Sequence, residues 1–469
     1  MTRENRVLAL VSVASAVSAL DLSLMFVAYP SIRAHFASTS ITLVSWVLTS
    51  FTIVAAALLI PAGRVADRAG RRRVFLFSLL LFGTGSACCA IAVNVPMLIA
   101  ARVVQAVGGA LLTPSALAII MSTIPASRRA WAIGVWSTVT GVMATAAPTI
   151  GALLVDKASW RWAFVINVPI ALGCFVAARR TLEESIDPDA GPLPDALGVA
   201  LVMGGVAALA FGVVQSSTWG WTDRGTLVAL GVAAALLAWF VQRCATHPAP
   251  VIDLRVFDTF LFKANAVAAV AIGITFWGGY YVFIQFLTVG WGYSITQTGL
   301  LLVPMTLVTS FVGMPAGRWM DRYGHRIVMA PAALAFVLAM LWLRARAGDD
   351  AAVLAVWIPA ALLAGLTNAV CFTGVNSAGA RTAPPEALGV TAGIVQTIIR
   401  IGGAVGSALG IALVGDTGAR DGVGTFHDAF VVLALVGLVA AISTLPLATA
   451  RERPRPAARS GRADSLPAS

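Results

Sequence analysis

Charged residues are scarce in this chain. They make up 11% of its 469 residues, against 59% hydrophobic ones, where a soluble domain carries about 25% charge. That shortage excludes a water-soluble protein with a polar surface. No paired carboxylates occur at membrane depth, and the four histidines (His35, His247, His325, His427) fall in loops or at the edges of apolar runs. An enzyme is therefore not expected. The five cysteines, Cys88, Cys89, Cys174, Cys244 and Cys371, lack metal-ligand spacing and sit mostly in apolar runs. Neither a disulfide framework nor a metal site follows. No soluble domain and no cleavable signal peptide is expected, because the first apolar segment is long enough to span a bilayer.

Apolar sequence is what the chain has in abundance. A spanning helix needs ~20 apolar residues. Fourteen segments qualify, at roughly 7–29, 41–62, 74–93, 96–121, 131–154, 161–179, 194–214, 225–243, 263–289, 298–317, 327–345, 352–377, 388–415 and 427–448. The fold class expected is an all-α polytopic membrane protein. Lysine and arginine collect in cytoplasmic loops. With the N-terminus inside, cytoplasmic segments hold 23 of the 32 basic residues and the opposite side seven, while Arg102 and Arg400 lie within spans. Both termini are expected in the cytoplasm. The same asymmetry explains the net charge of +11 without nucleic acid. The Pro- and Arg-rich tail 451–469 is expected to be disordered and to graze anionic lipid.

The stretch AGRVADRAGRRRV at 62–74 recurs 254 residues later as AGRWMDRYGHRIV at 316–328, with eight of thirteen positions identical. It reads as a short arginine-rich turn between apolar segments, its glycines permitting the turn. Its recurrence indicates two related membrane halves, a common plan among secondary transporters. The expected domains are a six-helix half at 1–180, a linker with two inserted helices at 181–262, a second six-helix half at 263–450, and the tail.

A charge at membrane depth is costly and is a functional candidate by default. Asp21 is the only acidic residue deep in a span. It is either a proton carrier or half of a structural ion pair. Burial raises a carboxyl pKa and a cation lowers it, so an acid whose surroundings alternate can load and release a proton. Arg102 lies ~9 Å and Asp21 ~12 Å below the outer ends of their helices, at 1.5 Å per residue. Their similar depth suggests that Arg102 tunes Asp21 or competes with its proton. Arg400 is a candidate for an anionic substrate group or for helix-end carbonyls. Gly402, Gly406 and Gly410 follow it at i+4 spacing and form a small-residue packing face. Phe276, Tyr280 and Phe283 share a helix face. They suit either a drug cavity, through stacking and cation–π contact, or an aromatic belt.

Several of these stretches carry a family resemblance. Gly63-x-x-x-Asp67-Arg68-x-Gly70-Arg71-Arg72 resembles the loop signature of the major facilitator superfamily. Arg102-x-x-Gln105-x-x-Gly108 looks like that superfamily's helix-four motif, whose arginine is linked to proton coupling. Gly141, Pro148 and Gly151 resemble the antiporter motif of helix five, with Ala147 where glycine usually precedes the proline. Trp160-Arg161-Trp162-x-Phe164-x-Ile166-Asn167-Val168-Pro169 resembles the entry to helix six in the fourteen-helix drug:proton antiporter branch. Leu20-Asp21 followed by Pro30 also fits that branch, although Phe26-Val27 stands where an Asn-Val pair is frequent.

The resemblance implies proton-coupled efflux of drugs or natural-product antibiotics across the plasma membrane by alternating access. The alternative is a proton-coupled importer or narrow exporter of a metabolite. Asp21 and Arg102 would couple protons. Gln105, Phe276, Tyr280, Phe283 and Arg400 would line the cavity. Gly63, Asp67, Arg68, Gly70 and Arg71 would gate the cytoplasmic side, with Asp321 and Arg322 doing so on the other half. Substrates would be hydrophobic and neutral, monocationic or anionic. The expected protein is a monomer that needs protons and lipid but no cofactor, metal or nucleic acid.

Overall fold

The computed structural model describes residues 2–125, 159–186, 195–252, 254–382, 388–414 and 423–447, with residue 193 and scattered positions between 128 and 155. Described residues in regular structure are helical throughout. We label the longer helices α1 (Arg3–His35), α2 (Ile41–Ala69), α3 (Arg71–Ala90), α4 (Val95–Thr123), α5 (Asn167–Thr181), α6 (Ala196–Trp219), α7 (Arg224–Thr246), α8 (Phe260–Gln285), α9 (Val303–Tyr323), α10 (His325–Arg346), α11 (Ile358–Thr382), α12 (Leu388–Val414) and α13 (Gly424–Thr444). Among the described residues, thirteen spans are long and apolar enough to cross a membrane. They correspond to all the expected segments but 131–154, which lies mostly outside the described residues, as does the tail 451–469.

The arginine-rich stretch is not an open turn. Helix α2 runs past Pro61 to Ala69 and α3 begins at Arg71, so a single residue, Gly70, separates them. Its φ is +106°, a region that a side chain makes costly. The second copy repeats the device: Gly324, at φ +92°, alone separates α9 from α10. Apolar patterning alone could not show this. The polar arginines look like a loop, yet they extend the helices beyond the apolar stretch.

The expected glycine face on α12 packs against α8. A β-carbon on Gly402 would come within 2.4 Å of Val270 O, one on Gly406 within 2.6 Å of Ile274 O, and one on Gly410 within 3.0 Å of Tyr281. The partner helix supplies its own gaps, at Gly273 and Gly278. Two helices thus meet backbone to backbone, as small residues allow.

Helices α6 and α7 pair as a hairpin. Helix α6 packs on α2 and α12, and Thr42 donates to Gln215 across the α2–α6 contact. The hairpin is tied at one end by Asp195. Its carboxylate accepts from Leu197 N at 3.1 Å and Gly198 N at 2.9 Å, an N-cap, and from Arg243 Nη2 at 3.0 Å. The bond to Arg243 holds the Asp195 carboxyl below the usual carboxylate range. A lowered folded-state pKa adds stability that is present above the ordinary carboxylate value and is lost as pH falls through the folded value. Asp195→Asn is therefore expected to melt below wild type at pH 7, with the gap closing on acidification. Melting curves at pH 7 and pH 3.5 test this.

Candidate coupling site and gating elements

Asp21 on α1, Ser86 on α3, Arg102 and Gln105 on α4 and Asn167 on α5 meet in one sealed cluster. All five are buried, none more than 1% exposed. Arg102 Nη1 donates to Asp21 Oδ2 at 2.7 Å and to Gln105 Oε1 at 2.8 Å. Asp21 Oδ1 accepts from Gln105 Nε2 and from Asn167 Nδ2, both at 2.8 Å. Ser86 Oγ accepts from the same two amides at 3.2 and 3.1 Å and donates to Phe164 O at 2.9 Å. Arg102 Nε reaches Val47 O at 3.2 Å. The guanidinium lies 4.4 Å over the Phe51 ring, a cation–π contact that helps hold a buried cation.

Helix geometry explains the spacing. Residues 102 and 105 share a face of α4, and Gly108 continues it. A β-carbon on Gly108 would lie 2.5 Å from Phe82 N, and one on Gly85 2.6 Å from Gln105 N. Close approach of α3 and α4 places Ser86 beside Gln105. Two donors to Asp21 Oδ1 and one to Oδ2 hold its carboxylate, while Arg102 Nη2 and Asn167 Oδ1 keep unused capacity. The cluster contains one titratable acid, one fixed cation and neutral amides. Such a set can switch between an ion pair and a neutral acid beside a free guanidinium.

The cavity candidates separate. Phe276 and Tyr280 stack at 6.3 Å, and Phe276 reaches Phe372 at 6.3 Å. Trp277 stacks on Phe26 of α1 at 5.2 Å. These rings join α8 to α1 and α11. Gln105 belongs to the Asp21 cluster and does not face a cavity. Phe283 is 2% exposed and packs on Trp357 at 5.4 Å, turned into the core. Residue 283 keeps the face of 276, but at that turn the face meets Trp357 of the core. Arg400 is half-buried and has no hydrogen bond or ion pair among the described residues. Gly151 is helical and buried, with a β-carbon position 2.3 Å from Leu24. Gly141 and Pro148 lie outside the described residues.

At the other candidate site Asp67 Oδ1 accepts from Arg71 Nε at 2.9 Å and Nη2 at 2.8 Å across the Gly70 break. Gly63 faces Pro114 on α4 at 3.8 Å, and Arg68 is exposed. In the second copy Arg322 lies 5.4 Å from the Tyr323 ring; the Asp321 side chain is outside the described residues.

Sequence reasoning missed Glu184. Its carboxylate accepts from Arg72 N at 3.1 Å and Arg73 N at 3.2 Å, capping the open N-terminus of α3 where an anion is favoured. A β-carbon on Gly70 would meet Glu184 Oε1 at 2.6 Å. The signal was an acidic segment following a span and far from the arginines in sequence. Gly70→Ala is expected to cost about 1–3 kcal/mol from backbone strain, plus the loss of this contact. Gly220, at φ +93° with nothing within 4 Å, is the control: Gly220→Ala carries only the strain. A larger fall in melting temperature for Gly70→Ala measures the Glu184 contact.

Comparison with known proteins fits this geometry. The profile of the Major Facilitator Superfamily matches residues 11–241 and 265–469. The chain is 31% identical over 406 residues to a tetracenomycin C resistance and export protein of Streptomyces glaucescens, covering 85% of this chain and 74% of that one. It is 29% identical over 394 residues to the multidrug resistance protein Stp of Mycobacterium tuberculosis, covering 83% and 72%. Its fold resembles a D-xylose-proton symporter, with a TM-score of 0.66 at 13% identity over 95% of this chain and 98% of that one. The chain is a multi-pass membrane transporter, not an enzyme, and it belongs to the major facilitator superfamily.

Proposed function

We propose that the chain exports drugs or natural-product antibiotics across the plasma membrane in exchange for protons, by alternating access. The carrying observation is Asp21, an acid sealed at membrane depth against one arginine. The drug-resistance and export names of the relatives support the direction of transport. With both termini cytoplasmic, the Tyr29 end of α1 is outermost. There Phe26 and Tyr29 meet Trp277 and Tyr281 of α8. Arg6, Ala9 and Val13, one stripe on the inner half of α1, are exposed. This pattern supports a conformation closed outside and open inside.

In this reading substrate enters from the cytoplasmic side toward Phe276, Tyr280 and Phe372, with Arg400 available to an anionic group. A proton from outside reaches Asp21, neutralises it and frees Arg102. The ion pair and the neutral acid favour different arrangements of α1, α4 and α5. Each ligand shifts the equilibrium by its differential affinity for the two states. The Asp67–Arg71 pair and the Glu184 cap hold the inner ends of α2 and α3 together as the halves rock. Among the described residues from 263 onward no acid is buried, so neutral, monocationic or anionic substrates are favoured over dications.

The test uses inverted vesicles with an acidic lumen and a pH-sensitive dye, given neutral, cationic and anionic antibiotics. Substrate-triggered proton leak in wild type, lost in Asp21→Asn, is expected. Leak retained in the variant would move the proton site elsewhere. Strong export of dicationic biguanides with weak export of neutral dyes would overturn the charge preference.

A further inference from the structure

The Asp21 cluster leaves one polar group of residues unexplained. At the Tyr29 end a recess of about 500 Å³ lies between the halves. Pro30 and Arg33 line one side and Gln285 and Val289 the other. Arg33 is half-buried and has no hydrogen bond or ion pair among the described residues. Gln285 is 4% exposed and its Oε1 has no partner. Just behind, the hydroxyls of Tyr29 and Tyr281 are buried and also unpartnered, with their rings 5.6 Å apart. The Tyr281 hydroxyl is within hydrogen-bonding reach of the Gln285 side chain and within electrostatic reach of Tyr29 and Arg33. One cation and one free acceptor line the opening, with two buried tyrosine hydroxyls behind them.

Buried polar groups without partners are costly, and each one asks for an explanation. Arg33 calls for an anionic oxygen and Gln285 Oε1 for a hydroxyl or N–H donor, while the tyrosines can give or accept. We propose that this recess binds an organic anion that also carries a hydroxyl, and that the bound ligand bridges the two halves. Because its contacts come from both α1 and α8, it binds the closed arrangement better than one in which these helices part. On the function proposed above, the ligand acts from outside and slows export. The binding claim does not depend on that reading. The same chemistry occurs in a free hydroxy acid and in the glycerol-phosphate headgroup of a lipid.

Calorimetry on the full chain in phosphatidylcholine nanodiscs tests this, with 4-hydroxybenzoate and benzoate as probes. Saturable binding of 4-hydroxybenzoate is expected, weakened about tenfold or more in Arg33→Gln, since a charge-assisted contact is lost. Its advantage over benzoate is expected to vanish in Gln285→Leu, while Arg224→Gln, at an exposed arginine that does not line the recess, leaves binding unchanged. If phosphatidylglycerol in the disc weakens binding to wild type, the lipid headgroup is the competing source; if not, a soluble acid is. Absence of saturable binding to wild type, or equal binding to wild type and folded Arg33→Gln, overturns the proposal. Export that is insensitive to outside 4-hydroxybenzoate, with binding intact, would instead count against the transport reading.

Discussion

Arg102→Met is expected to be the most damaging single change in the N-terminal half. It removes the cation from Asp21 without opening a large cavity. Asp21 is 1% exposed, so water cannot replace the lost contact. Breaking one partner out of a buried ion pair costs about 3–5 kcal/mol. Transport is then expected to lose its pH dependence. Asp21→Asn/Arg102→Met should be more stable than Arg102→Met alone, because no unpaired acid is left. Melting curves for the two singles and the double form a cycle that isolates the coupling. Additive losses would mean that the 2.7 Å contact carries no energy, and an unchanged pH profile would separate Arg102 from the proton.

Gly273→Val follows, with an effect of similar size in the other half. The new β-carbon would lie 2.3 Å from Ile399 O and 2.9 Å from Gly403 N. Both are backbone atoms, so no side chain can rotate away and the α8–α12 pair must part. Overpacking of a core costs about 1–3 kcal/mol when side chains can yield, and this site should exceed that. Trp277 would shift with α8 and lose its stack on Phe26. Gly231→Ala is the contrasting change, since nothing lies within 4 Å of its β-carbon position. It should be neutral or slightly stabilising, as glycine is a poor helix former. Monodispersity after detergent extraction and melting temperature distinguish the two.

The spans were legible because apolar length is a sufficient signal in a bilayer. Their ends were not, since helices continue into polar sequence: α2 runs seven residues beyond its expected end at 62, to Ala69. The repeat pointed to two related halves, but not that a single glycine separates the helices in each copy. Asp21 and Arg102 stood out as charges in apolar runs. Ser86 and Asn167 did not, because small neutral polar residues are ordinary within spans and their meeting depends on helix packing. Asn167 was visible only as a letter of a longer motif. Glu184 was hidden for another reason: its partners are backbone amides, which leave no side-chain pattern to read. Phe283 shows the limit of helical spacing, since a shared face does not tell a cavity from the core beside it.

The most direct measurement is the protonation state of Asp21 itself. Infrared difference spectra of the purified protein in lipid, recorded on adding a transported antibiotic, report buried carboxyl groups by a band that shifts in heavy water. The predicted result is a protonated-carboxyl band that changes with substrate in wild type and is missing in Asp21→Asn. A substrate-dependent band that survives in Asp21→Asn, or transport without any carboxyl change, would contradict proton coupling through this cluster.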